Sequence, residues 1–161
     1  MDAILIFSHG SVLCGAERNL LEIAERLRRA GRAEVVEVGF LNYSEPDYDS
    51  ALDRCVEAGA DRIIIAPFFL VSGRFVTVDL PARIDDSRRR HPGLEILVGE
   101  PLGFHSLLAD AVLSLAGDAS LPANAQPAPQ NISLFCRRSA QCPLYQSPGC
   151  LAEQVVMVEE S

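Results

Sequence analysis

No stretch of the 161-residue chain approaches the roughly 18 to 20 consecutive apolar residues that a bilayer-spanning helix needs. The first apolar run is too short for a signal-peptide core and lacks a basic start and a cleavage site, so the sequence predicts a cytoplasmic protein with no membrane association. Positive charge is also scarce. The chain has 14 Lys and Arg residues against 22 Asp and Glu, a net charge of −8 and a pI near 4.8. No basic surplus exists to release counterions from phosphates, which argues against a general nucleic-acid binder. The run Arg88, Arg89, Arg90 reads as a solvated helix end. None of the 5 cysteines forms the close C-x₂₋₄-C pair of a zinc ribbon or finger, and their spacing is not that of a ferredoxin. In a reducing compartment they are expected as free thiols or metal ligands rather than disulfides. No internal repeat is present.

What the chain does have suits a globular domain with a sizeable core: 48% hydrophobic and 22% charged residues. Ile4 to Phe7 reads as a buried parallel strand that stops abruptly at Ser8, His9, Gly10 and Ser11. Leu20, Leu21, Ile23, Ala24 and Leu27 recur at helical spacing from about Glu17, with Gly31 as a C-cap. Val35 to Phe40 is a second strand. Asn42 to Asp47 is a loop in which Pro46 and Asp47 announce a helix that ends near Gly59. Arg62 to Pro67 is a third, very apolar strand, expected to be covered on both faces. A glycine-containing loop spans Phe68 to Val78, and Leu80 with Pro81 opens a helix reaching about Arg90. Leu94 to Val98 is a fourth strand, Pro101 to His105 a loop, and Ser106 to Ala116 a helix.

The alternation β-α-β-α-β-α-β-α predicts an α/β fold, a parallel four-stranded sheet flanked by helices on both faces. Residues 1–116 form this domain. Residues 117–131, rich in Ala, Pro, Asn and Gln, read as a linker, and 132–161 as a Cys-containing C-terminal extension.

In an open parallel sheet, ligands bind beyond the carboxyl ends of the strands. Three loops fall on that edge, carrying His9, the segment Phe68 to Asp79, and His105. Gly10 permits a sharp turn or a close backbone approach, and imidazoles there can bind a divalent metal or carry protons. The bland alternative for His9 is a loop histidine with a satisfied hydrogen bond. His91 lies at the opposite end of the unit and receives no role.

Three motifs on these loops resemble one family. S-H-G-S, Ser8 to Ser11, is similar to the opening motif of the class II tetrapyrrole chelatases, the CbiX and SirB type sirohydrochlorin chelatases. P-F-F-L-V-S-G-R-F-V-T-V-D-L-P, Pro67 to Pro81, resembles the family's P-x-F-L-x-x-G-x-H-V-x-x-D-I-P. E-P-L-G-F-H, Glu100 to His105, is similar to its G-E-P-L-G-x-H-P, and L-N-Y-S-E-P-D places Glu45 at the family's acidic position. The resemblance spans about residues 1–116. It implies a half-ferrochelatase fold, a lyase that inserts Co²⁺ or Fe²⁺ into a planar acidic tetrapyrrole in siroheme or cobalamin biosynthesis, and a homodimer enclosing a two-lobed cleft.

By that resemblance His9 is a metal ligand and catalytic base, with Glu45 as a second catalytic candidate. Ser8, Gly10, Ser11, Gly73, Arg74, Phe75 and His105 are expected to line the substrate site. Arg74 would pair with some of the substrate's carboxylates, its bland alternative being an exposed loop arginine. The family's second histidine falls on Phe75, and an acidic position three residues later falls on Val78. Phenylalanine neither ligates a metal nor accepts a proton. Two functional expectations follow: a chelatase working with one histidine, in which Glu45 or His105 compensates, or a catalytically degenerate tetrapyrrole- or metal-binding protein in which Phe75 offers a stacking face.

The extension holds Cys136, Cys142 and Cys150, with Pro143, Pro148 and Gly149 beside them. Thiolates in such a segment suit an iron–sulfur cluster, with a fourth ligand from Cys14 or from another chain. A structural zinc, or three plain reduced thiols, are the alternatives. Cys55 reads as helix core.

Overall fold

The first strand pairs with two neighbours at once, and the fold is built around it. The computed structural model describes residues 1–11, 17–103 and 105–117. The cysteines at 14, 136, 142 and 150, and the linker and extension from residue 118 onward, lie outside the described residues. The elements are β1 (Asp2–Ser8), α1 (Arg18–Arg29), β2 (Val35–Phe40), α2 (Tyr48–Glu57), β3 (Arg62–Pro67), α3 (Leu80–Arg90), β4 (Glu95–Val98) and α4 (Ser106–Gly117). The strands form one sheet in the order β2-β1-β3-β4, and every pairing is parallel.

Alternation along β1 sends Ala3, Leu5 and Phe7 to one face and Ile4 and Ile6 to the other. On the first face they pack with Ile63 and Ile65 of β3 against Tyr48, Ala51, Leu52 and Cys55 of α2 and Leu80 and Ile84 of α3. On the second face Ile6, Val36, Val38 and Phe40 pack against Leu20 and Ala24 of α1. The central strand is thus apolar because both its faces are covered, and α1 lies opposite α2 and α3, as right-handed crossovers require. Phe7 meets Tyr48 edge-on, centroids 5.6 Å apart at 83°, a geometry worth about 0.5–1.5 kcal/mol beyond the buried area. Cys55 is fully buried, and loss of solvation pushes its thiol up to about 12. It is core, as expected.

Local signals behave as read. The Asp47 carboxylate accepts the Ser50 N–H at 2.7 Å and caps α2. On the outer surface Arg83 and Arg90 bridge to Asp49, Arg90 also to Asp53, and His91 Nε2 lies 2.8 Å from Asp53. Each exposed pair is worth little, but together they tie α3 to α2.

One element departs from the expectation. The segment Phe68 to Val78 is not a loop throughout: Phe75–Asp79 forms a π-helical turn that runs straight into α3. The Leu80 N–H reaches back to the Phe75 carbonyl, and Val76 and Thr77 donate to the Gly73 carbonyl. The Thr77 hydroxyl also bonds that carbonyl, at 3.2 Å. The wider turn leaves no 3.6-residue apolar stripe in the sequence.

The chain divides into two units, Met1–Ser11 with Ala16–Gly103, and Val12–Gly15 with Phe104–Ser161. The sheet and α1 to α3 belong to the first, α4 to the second. Among the described residues no helix is long and apolar enough to cross a membrane.

Candidate functional site

In the order β2-β1-β3-β4 the connections reverse direction at the β1/β3 boundary, which opens a crevice at the carboxyl ends of these two strands. The loop after β1 forms one wall. The segment after β3 forms the other. Both walls start from shared backbone bonds. Phe68 donates to the Phe7 carbonyl at 2.7 Å, Leu41 to Ser8 at 2.9 Å and Asn42 to His9 at 2.9 Å.

Gly10 has φ +84°, and a Cβ there would stand 1.9 Å from the Asn42 carbonyl oxygen. Only glycine fits this turn. It allows His9 to sit half-buried at the strand end with Nδ1 3.1 Å from the Gly10 carbonyl. A carbonyl only accepts, so Nδ1 carries the proton in the neutral ring and Nε2 keeps its lone pair. An imidazole nitrogen with a lone pair is chemically able to bind a metal or accept a proton.

Phe75 meets this imidazole ring to ring, with centroids 4.5 Å apart and planes tilted by 43°. Phe69 links Phe75 inward to Phe7, at 6.3 and 5.6 Å. Tyr43, held at φ +62°, also approaches His9, with centroids 5.9 Å apart. The aromatic series therefore runs from Tyr48 in the core through Phe7, Phe69 and Phe75 to His9 and Tyr43. Tyr43, Leu70, Val71, Phe75 and Val78 are all exposed. Exposed apolar side chains of this kind fit a planar apolar ligand face. Beside Phe75 a groove of about 480 Å³ continues along α3, bounded by Leu41, Asn42, Asp79, Ala82, Arg83 and Asp86.

The other expected site residues fall as follows. Ser8 and Ser11 are half-buried in the His9 wall. Gly73 anchors the π-helical turn through its carbonyl. Arg74 is exposed, with Nε 3.7 Å from Asp79. Glu45 is exposed, and its carboxylate accepts the Asp47 N–H at 3.2 Å, within its own turn. His105 belongs to the second unit, where Nδ1 accepts the Leu107 N–H at the start of α4, at 3.3 Å. Among the described residues, no three His, Cys, Asp or Glu side chains converge to hold a metal ion. A metal at His9 Nε2 would complete its coordination from water and from a bound ligand.

Sequence reasoning passed over Tyr43, Phe69 and Ser44. Phe69 sits within a recognisable motif but reads there as one more apolar residue. Tyr43 and Ser44 come into view only through the β1–β2 register, which lays the loop after β2 along the loop after β1.

The family model CbiX matches residues 3–119. The chain is 31% identical over 154 residues to the chloroplastic sirohydrochlorin ferrochelatase of Arabidopsis thaliana, covering 91% of this chain and 64% of that protein. It is 29% identical over 119 residues to the sirohydrochlorin cobaltochelatase of Sulfolobus acidocaldarius, covering 74% and 93%. Among solved structures, the cobalt complex of the sirohydrochlorin chelatase SirB from Bacillus subtilis subspecies spizizenii superimposes with a TM-score of 0.68 at 29% identity, over 73% of this chain and 50% of that one. The chain thus spans half of that structure and about two-thirds of the plant relative. With its parallel sheet, its strand-end histidine and the model match over most of its length, the chain belongs to the CbiX family of chelatases.

Proposed function

We propose that the protein inserts a divalent metal, Fe²⁺ or Co²⁺, into sirohydrochlorin or a related tetrapyrrole on the way to siroheme or cobalamin. The observation that carries this is His9: its Nδ1–H is committed to Gly10, which leaves the lone pair on Nε2, and the apolar ring of Phe75 stands against the imidazole with centroids 4.5 Å apart. The macrocycle rests on the aromatic rim, and Arg74, exposed at its edge, pairs with substrate carboxylates. The metal enters as a dication and exchanges water for pyrrole nitrogens. Two pyrrole N–H protons leave, so charge balances. His9 Nε2 accepts them one at a time and passes each to water before the next. Such a base is worth about 10²–10⁴-fold. The relatives' names support the substrate class, as one is a ferrochelatase and another a cobaltochelatase, both acting on sirohydrochlorin.

Two further parts of the reading rest on length and composition. A second copy would pair with this domain to enclose a two-lobed cleft, the matched region spanning 50% of the SirB chain. The plant alignment covers 91% of the chain and so includes Cys136 and Cys142; with Cys150 these suit an iron–sulfur cluster, readable as a brown colour in anaerobically purified protein that Cys142→Ser removes. The central test is a metal-insertion assay on sirohydrochlorin under anaerobic conditions. Wild type converts the tetrapyrrole with Fe²⁺ or Co²⁺, and His9→Ala loses about 10²-fold or more in rate. Undiminished turnover in His9→Ala would overturn the assignment.

A further inference from the structure

The peptide group between Gly10 and Ser11 is held at both ends. Its carbonyl oxygen, on Gly10, receives His9 Nδ1–H at 3.1 Å. Its N–H, on Ser11, donates to the Ser44 hydroxyl oxygen at 3.0 Å. A peptide unit is planar and trans, so its N–H and C=O point in opposite directions, and fixing one fixes the other. The Ser44 hydroxyl also donates onward to the Ser11 carbonyl at 3.3 Å, which gives it two grips on the same residue. Ser44 is itself 3% exposed, so its placement is set by packing. Its own N–H donates to the Asn42 carbonyl at 2.7 Å, and that carbonyl is the group against which Gly10 is pressed.

We propose that Ser44 is a positioning residue for His9: by holding the Gly10–Ser11 peptide plane it keeps the Gly10 carbonyl on Nδ1 and so makes Nε2 the basic nitrogen. The physical need is plain. Gly10 at φ +84° has the conformational freedom that lets a neighbouring peptide plane rotate. A rotated plane would turn an N–H toward His9 Nδ1, which would then have to accept. The proton would move to Nε2, and the lone pair that the reaction uses would point at the backbone instead. Ser44 acts only through the peptide. This inference rests on the chelatase reading for its catalytic consequence, but its structural content does not.

The experiment uses the full chain with ¹⁵N-labelled histidine. In wild type, ring nitrogen shifts at a pH where the imidazole is neutral should show His9 with a protonated Nδ1 and an unprotonated Nε2. Ser44→Ala should give His9 a mixture of tautomers and faster exchange of the Ser11 amide, while the His91 and His105 signals stay unmoved. In the insertion assay kcat should fall about three- to tenfold with KM unchanged, the factor that one neutral hydrogen bond supplies. Ser44→Thr keeps the hydroxyl and should restore the wild-type tautomer. A purely structural role would lower the melting temperature but leave the His9 ring shifts of the folded protein where they were. Unchanged His9 shifts in Ser44→Ala, or a Ser44→Thr protein that behaves like Ser44→Ala, would overturn the proposal. A wild type that inserts no metal while its His9 shifts respond to Ser44→Ala would defeat the chelatase reading and leave the positioning role standing.

Discussion

The two walls of the crevice are built in different ways. The wall after β1 is tied at each residue from Ser8 to Ser11: Ser8 and His9 carbonyls to Leu41 and Asn42, Gly10 packed on Asn42, Ser11 gripped by Ser44. The wall after β3 is held mainly by packing. Phe69 plugs it into the core through Phe7, the π-helical turn hangs from Gly73, and Leu70, Val71, Phe75 and Val78 stand exposed. A base must present one nitrogen in one direction, which hydrogen bonds enforce. A platform for a planar ligand needs area and shape, which apolar side chains supply without directional bonds. Under the proposed function, lone-pair chemistry therefore falls on the tied wall and surface chemistry on the packed one.

The contrast can be broken most severely at Gly10. Gly10→Ala places a methyl on the Asn42 carbonyl and imposes a side chain on a left-handed backbone. Displacing His9 by about 1 Å suffices to cost about 10²-fold, so insertion should fall at least as far as in His9→Ala, and a melting scan should show a lowered midpoint. Activity and stability at wild-type levels would mean that the wall is softer than its hydrogen bonds indicate.

Phe75→His sharpens the contrast by putting a directional donor on the packed wall. Ring centroids 4.5 Å apart allow two imidazole nitrogens to share one ion at roughly 2.0–2.1 Å each. Co²⁺ affinity of the protein alone should rise about tenfold, as expected for a second nitrogen ligand, readable by titration of the cobalt visible bands. No gain would show that the two rings do not converge on a common point.

The smallest effect lies behind the tied wall, at the start of α2. Asp47→Ala removes the cap on Ser50 and should cost about 1 kcal/mol of stability by chemical denaturation near neutral pH. The Ser50 N–H and hydroxyl hold the Asp47 carboxyl below its ordinary value of 3.8. A depressed folded-state value means that this stabilisation is fully present above the unfolded value and fades as the pH falls through the folded one. The gap between wild type and Asp47→Ala should therefore narrow below pH 3.8, and a gap independent of pH would show that the carboxylate is not the capping group.

Most of the fold is legible in the residues because its causes are local. Alternation and buried apolar runs mark the strands, and β3 falls on Arg62–Pro67 as read. Helical stripes mark α1 and α2, and Pro46 with Asp47 marks where α2 begins. That His9, Gly10 and Phe75 fall on strand-end loops is legible from motif order, and the structure brings His9 and Phe75 ring to ring. The π-helical turn is not, because a widened turn has no periodic signature distinct from a loop.

Sequence by itself determined that a parallel sheet would carry His9 at a strand end, since periodicity and chain order dictate both. Only the tertiary structure decided which nitrogen of His9 is available, that Phe75 stands against it, and that Tyr43 and Ser44 close around it. Those facts depend on the register between strands and on the orientation of single peptide planes. Register and plane orientation are settled by contacts between residues 33 to 66 positions apart, on which local propensity is silent.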